Sequence, residues 1–130
     1  MNTVLVVDDE RHVRMLYEEE LSADGYTIVS SDGQEPILQT IERVKPDVVV
    51  LDIKLGPNLS GLDLLQQIRA ARQDLPVILS TAYSSFKSDF KAVVADYYVV
   101  KSVDLTELRA ALVQALGKAQ SAGNGVPGNA

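Results

Sequence analysis

The sequence contains no cysteine, which excludes a disulfide framework, a thiolate metal site and a cysteine nucleophile. It also has no apolar run of bilayer length. The opening Met1-Asn2-Thr3-Val4-Leu5-Val6-Val7 carries neither a basic leader nor a small-residue cleavage site, so the expectation is a soluble, unexported, cytoplasmic chain with no membrane role. Positive charge is in deficit. There are 12 Lys and Arg against 18 Asp and Glu, a net charge of −6, which repels polyanions and argues against direct nucleic-acid binding.

What is present is enough to build one core: 130 residues, 46% of them hydrophobic, fit a single compact domain. Short runs rich in β-branched residues recur at Thr3 to Val7, Val48 to Leu51, Val77 to Ser80 and Tyr97 to Val100, with a weaker one at Tyr26 to Ser30. Helical patterns alternate with them. Arg11 to Asp24 places Val13, Leu16, Tyr17 and Leu21 on one face and stops at Gly25, the residue best suited to a left-handed cap. Pro36 opens the next, with Ile37, Leu38, Ile41 and Val44 as its stripe, and Lys45-Pro46 ends it. Ser60 is placed to cap a third through Ile68, and Asp104 with Glu107 makes a capping-box-like start for the last, which carries Leu105, Leu108, Leu112 and Leu116.

Between Ser84 and Ala95 the spacing of Phe86, Phe90, Val93 and Val94 predicts a short or frayed fourth helix. Residues 1–117 thus form the folded unit, and residues 118–130, poor in core-forming side chains, read as a flexible tail or linker stub. Near-continuous apolar strands alternating with amphipathic helices predict an α/β fold, a parallel sheet covered on both faces. Ligands of such sheets sit beyond the carboxyl ends of the strands.

Asp8 and Asp9 follow the first strand, Asp52 the third, Thr81 ends the fourth and Lys101 follows the fifth. Carboxylates gathered on one rim repel one another, so a hard divalent cation or a raised pKa is required, and Mg²⁺ suits such donors. A carboxylate attacks a phosphoryl donor only when positive charge covers the phosphoryl oxygens. On this reading Asp52 is the nucleophile, Asp9 binds the metal and Asp8 orients a metal-bound water. Lys101 then pairs with a phosphate oxygen and the Thr81 hydroxyl donates to another. Taken singly these residues have plainer explanations: Asp9 as a helix N-cap, Asp52 as a solvated loop carboxylate, Thr81 as a β-favouring strand end, Lys101 as a surface lysine. His12 receives no role, since a lone exposed helix histidine is ordinarily solvated.

The segments Val4-Leu5-Val6-Val7-Asp8-Asp9-Glu10, Val48 to Ile53, Val77 to Tyr83 and Asp96 to Lys101 closely resemble the signature segments of response-regulator receiver domains. The resemblance runs from Thr3 to about Leu116. It implies a flavodoxin-like five-stranded sheet of order 2-1-3-4-5 with five helices, and a phosphoacceptor protein that catalyses only its own phosphoryl transfer. Asp52 would be phosphorylated by a histidine kinase or histidine phosphotransfer protein, with Mg²⁺ on Asp8, Asp9, Asp52 and the backbone carbonyl of Lys54. Thr81 and Tyr98 would form a switch pair that repacks the surface of the fourth helix, fifth strand and fifth helix for a downstream protein, or for a phosphorylation-dependent homodimer.

Three departures from the family pattern stand out. Ser102 occupies the place usual for a proline, often cis, after the lysine. The loop from Asp52 to Gly61 is one residue longer than the common pattern, and the stretch from Thr81 to Lys101 about two residues shorter. Lys54 and Tyr83, each two residues beyond a site residue, either shield the phosphoryl group from water and prolong its life or point to solvent. Two further functions stay open: a Mg²⁺-dependent phosphohydrolase using Asp52 as a transient nucleophile, and a receiver-like interaction module that is never phosphorylated.

Overall fold

The computed structural model describes residues 2–82 and 95–124. Its elements run β1 (Thr3–Val7), α1 (Arg11–Ala23), β2 (Thr27–Ser31), α2 (Ile37–Val44), β3 (Val48–Leu51), α3 (Gly61–Ala71), β4 (Val77–Thr81), β5 (Tyr97–Val100) and α4 (Thr106–Asn124). The strands form one sheet in the order β2-β1-β3-β4-β5, all pairs parallel, which is the 2-1-3-4-5 arrangement expected. Four helices are described rather than five. The short helix expected between Ser84 and Ala95 falls on residues 83–94, outside the described residues, so the helix that follows β5 is labelled α4.

Strand alternation divides the core into two halves. Leu5, Val7, Val49, Leu51, Val77 and Leu79 face the side covered by α2 and α3, while Val4, Val6, Val48, Val50, Ile78 and Val99 face α1 and α4. This is why the central strands read as unbroken apolar runs: each residue is buried on one face or the other. Leu65 and Ile68 of α3, like Leu21 of α1 and Leu112 of α4, are fully buried, each contributing about 1.5–3 kcal/mol of apolar transfer.

The local stop signals act largely as read. Gly25 follows α1 at φ +100, a left-handed conformation that costs glycine little. Lys45 ends α2 in the left-handed region, and the Ser60 hydroxyl accepts from the Leu62 amide at the start of α3. Two readings need correction. The capping box at Asp104 is built differently, since Asp104 Oδ1 accepts from Thr106 while the Asp104 amide donates to Ser102 Oγ at 3.1 Å rather than to Glu107. The serine that stands in place of a proline therefore shapes this turn. Second, residues 118–124 of the expected flexible tail or linker stub are helical, α4 running on to Asn124, because Lys118, Ala119 and Gln120 are good helix formers and the exposed Gly117 weakens the helix without ending it. Residues 125–130 of the expected tail lie outside the described residues.

Candidate functional site at the carboxyl ends of the strands

Parallel strands deliver their carboxyl ends to one edge, so residues that follow β1, β3, β4 and β5 meet there whatever their distance in sequence. The alternation that puts Val6, Val50, Ile78 and Val99 on the α1/α4 face carries on to Asp8, Asp52, Ser80 and Lys101, two positions later on each strand. Polar side chains thus cap four columns of an apolar face. Lys101 Nζ lies 2.6 Å from Asp8 Oδ2 and 2.9 Å from Asp52 Oδ2, with Glu10 Oε1 at 3.7 Å. Asp8 and Asp52 are 2% and 5% exposed, so this is a buried charge cluster at the sheet edge.

The other Asp8 oxygen, Oδ1, accepts from the Glu10 amide at 2.9 Å, and Arg14 of α1 donates to the Asp8 carbonyl at 2.7 Å. Asp9 and Glu10 are exposed, and carboxylate oxygens of Asp8, Asp9 and Glu10 lie within 4.8 Å of one another. Above them opens a cavity of 260 Å³ lined by Asp9, Glu10, Asp52, Lys54, Ala82 and Lys101. Burial pushes the Asp52 carboxyl up to about 6; the Lys101 hydrogen bond and charge pull it down, and the Asp8 charge raises it. Burial disfavours the Lys101 ammonium, but hydrogen bonds to Asp8 and Asp52 outweigh it and hold its pKa above the ordinary lysine value. One ammonium therefore serves two buried carboxylates while two more acids stand at the opening.

The loop after β3 folds into a small hairpin. Gly61 N donates to Ile53 O and Leu55 N to Leu59 O, which makes Lys54 and Ser60 a pair whose own main-chain groups the ladder does not use. Gly61 itself is pressed against the end of β3: a Cβ built there would stand 1.8 Å from the Asp52 carbonyl oxygen. Only glycine permits that approach, and it fixes the backbone of Asp52 and of the Lys54 turn together.

Of the residues singled out from sequence, Asp8, Asp52 and Lys101 are in contact, and Asp9 and Lys54 line the same cavity. Thr81 is fully buried at the end of β4, and its carbonyl accepts from the Lys101 amide at 2.7 Å. Tyr98 sits away from the rim, half-buried, paired in register with Leu79 and packed on the α2/α3-side core. It is thus a diagonal neighbour of Thr81 on the same face. Tyr83 lies outside the described residues. Glu10, Arg14 and Gly61 were not anticipated as site residues; Glu10 adjoins the acidic pair in sequence, whereas the Arg14 and Gly61 contacts are made only in three dimensions.

The donor set fits a hard dication: clustered carboxylates, a main-chain carbonyl turn and an opening to solvent. No helix among the described residues is long and apolar enough to cross a membrane.

Residues 4–113 match the family model described as the response regulator receiver domain. The response regulator MprA of Mycolicibacterium vanbaalenii is 39% identical over 110 residues, covering 82% of this chain and 47% of the relative. The probable transcriptional regulator ycf27 of Porphyridium aerugineum is 34% identical over 121 residues, covering 92% and 50%. The chain spans about half the length of these curated relatives. Among solved structures, the response regulator TrrA of Thermotoga maritima in complex with Mg²⁺-BeF superposes with a TM-score of 0.84 at 40% identity, covering 89% of this chain and all of that one. TrrA in complex with the histidine kinase ThkA gives 0.77 at 39% identity, covering 89% and 99%.

Proposed function

The chain belongs to the response-regulator receiver family, and from that membership we propose that Asp52 is its phosphoacceptor, charged by a histidine kinase or histidine phosphotransfer protein. The observation that carries the assignment is the placement of Asp52 beside Lys101 at 2.9 Å, with Asp8 on the same ammonium, at the floor of an acidic cavity. A kinase complex of the similar TrrA supports the class of donor.

Asp8, Asp9, Asp52 and the Lys54 carbonyl would hold Mg²⁺; a Mg²⁺-BeF complex of TrrA supports that choice. Bound there, the ion supplies positive charge against the phosphoryl oxygens. The rest falls to the chain. An Asp52 carboxylate oxygen forms the new O–P bond in line as the P–N bond of the phosphohistidine breaks, and the imidazole leaves with that electron pair. Lys101 already contacts the Asp52 carboxylate at 2.9 Å, so its ammonium pairs with a phosphate oxygen without a long excursion. The Thr81 hydroxyl donates to a second oxygen, and the space it vacates is the one into which Tyr98, its diagonal neighbour, turns. That repacks the surface around β5 and α4 for a downstream protein.

Intact-mass measurement after incubation with acetyl phosphate tests the assignment. The expected result is a Mg²⁺-dependent phosphate adduct on the wild type and none on Asp52→Asn. No adduct, with Mg²⁺ binding verified by calorimetry, would favour the unphosphorylated interaction module, and sustained turnover of small phosphate esters would favour a phosphohydrolase.

A further inference from the structure

Where the α1/α4 core meets the rim, two buried hydroxyls form a hydrogen-bonded pair. Tyr17 of α1 and Ser80 of β4 are 3% and 2% exposed, and their hydroxyls meet at 3.2 Å. Burying two hydroxyls is unfavourable unless each satisfies the other, and an apolar pair would fill the same space without that requirement. Among the described residues no buried side-chain polar atom lacks a partner, so this contact is what makes the burial tolerable.

Its position gives it a task. The strand order puts β3, which bears Asp52, between β1 and β4. One face of α1 reaches both flanking strands: Arg14 donates to the Asp8 carbonyl beyond β1 at 2.7 Å, and Tyr17, one turn later, bonds Ser80 on β4. Ser80 immediately precedes Thr81, so whatever fixes the Ser80 side chain fixes the strand end from which the Thr81 hydroxyl projects. The phenol stays protonated, because burial raises its pKa while the Ser80 hydrogen bond and the Lys101 charge pull only partly the other way. It is therefore a hydrogen-bonding hydroxyl throughout the working pH range.

We propose that Tyr17 is a positioning residue for phosphoryl transfer to Asp52: acting through Ser80, it holds the carboxyl end of β4 in register with β3, and so sets the Thr81 hydroxyl against the incoming phosphoryl group. The proposal rests on the phosphoacceptor reading above. It assigns α1 a part in the chemistry, as a brace across the acceptor strand, rather than in packing alone.

The test is a set of mutant cycles read by the rate of adduct formation from acetyl phosphate at saturating Mg²⁺, well below each variant's melting temperature. Tyr17→Phe keeps the ring and removes the hydroxyl. It and Ser80→Ala are each expected to slow the reaction about five-fold, and the double variant to be no slower than either single. The Mg²⁺ dissociation constant stays at the wild-type value. Thr81→Ala slows the wild type markedly, and Tyr17→Phe adds little in the Thr81→Ala background, because the lost hydroxyl acts through Thr81. Wild-type rates in both singles, additive losses in either cycle, or a loss traced to weaker Mg²⁺ binding would overturn the proposal. An absence of adduct on the wild type would instead overturn the phosphoacceptor reading on which it stands.

Discussion

Two cation–carboxylate groupings lie at different places on the same sheet, one part-exposed and one buried, and their stoichiometry differs. Beside the start of β5, Arg69 donates to Asp96 and to the Leu75 carbonyl, each at 2.6 Å, while the same Asp96 oxygen accepts from the Val77 amide at 2.8 Å. One guanidinium meets one carboxylate, and main-chain groups complete the hydrogen bonding. At the opposite edge Lys101 is shared between Asp8 and Asp52, with Asp9 and Glu10 close by. The first grouping is balanced and secures the chain between α3, β4 and β5. The second has too much negative charge for its own cation, a costly state for a metal-free fold and one suited to the dication and phosphoryl group proposed above.

The same substitution at the two places should therefore act in opposite directions. Asp52→Asn is expected to remove the phosphate adduct altogether while Asp96→Asn retains it, as intact mass would report. Loss of the adduct in Asp96→Asn would mean that the two groupings are not separable. In metal-free urea unfolding near neutral pH, Asp96→Asn should lose about 0.5–1.5 kcal/mol, since it removes the charge that Arg69 pairs with. Asp52→Asn should gain about 1–2 kcal/mol, because a strained buried carboxylate is replaced by a neutral isostere. A loss at both positions would refute the contrast.

The pH dependence sharpens it. Asp52 is held up at about 6, against 3.8 for an unperturbed aspartate, chiefly by burial. The folded chain therefore keeps a proton that the unfolded chain has already released between those values. This contribution to stability is present at the acid end and lost as the pH rises through about 6. Metal-free wild type should accordingly lose stability relative to Asp52→Asn across that interval, and a constant difference would argue against a raised Asp52. The smallest effect is expected at the cavity wall. If Lys54 shields the acyl phosphate, Lys54→Asn should hasten loss of the adduct by about two- to five-fold in a decay measurement, and an unchanged lifetime would leave Lys54 as a solvent-facing side chain.

Much of this was legible along the chain because the controlling signals are local. Val48 to Leu51 reads as a buried parallel strand from composition, Gly25 and Ser60 mark helix ends by their own conformational and hydrogen-bonding preferences, and acidic or basic residues just after the strands announce a rim. The exceptions had competing local signals. The segment after Gly117 is poor in core-forming side chains, yet its helix-favouring residues carry α4 on to Asn124, and Glu107 looks like the reciprocal arm of a capping box, yet Ser102 takes the Asp104 amide. Glu10 was visible beside the acidic pair but not distinguishable from a solvated helix start.

Sequence alone determined the alternation of strands and helices, the apolar runs that demand burial on both faces, and the residue types available at each strand end. Only the tertiary structure decided that Lys101 is divided between Asp8 and Asp52, that Gly61 lies against the Asp52 carbonyl, and that Tyr17 reaches Ser80 across 63 positions of sequence. Periodicity and caps are properties of neighbouring residues, whereas the sharing of one cation or the closeness of one backbone approach depends on how the strands are ordered and packed.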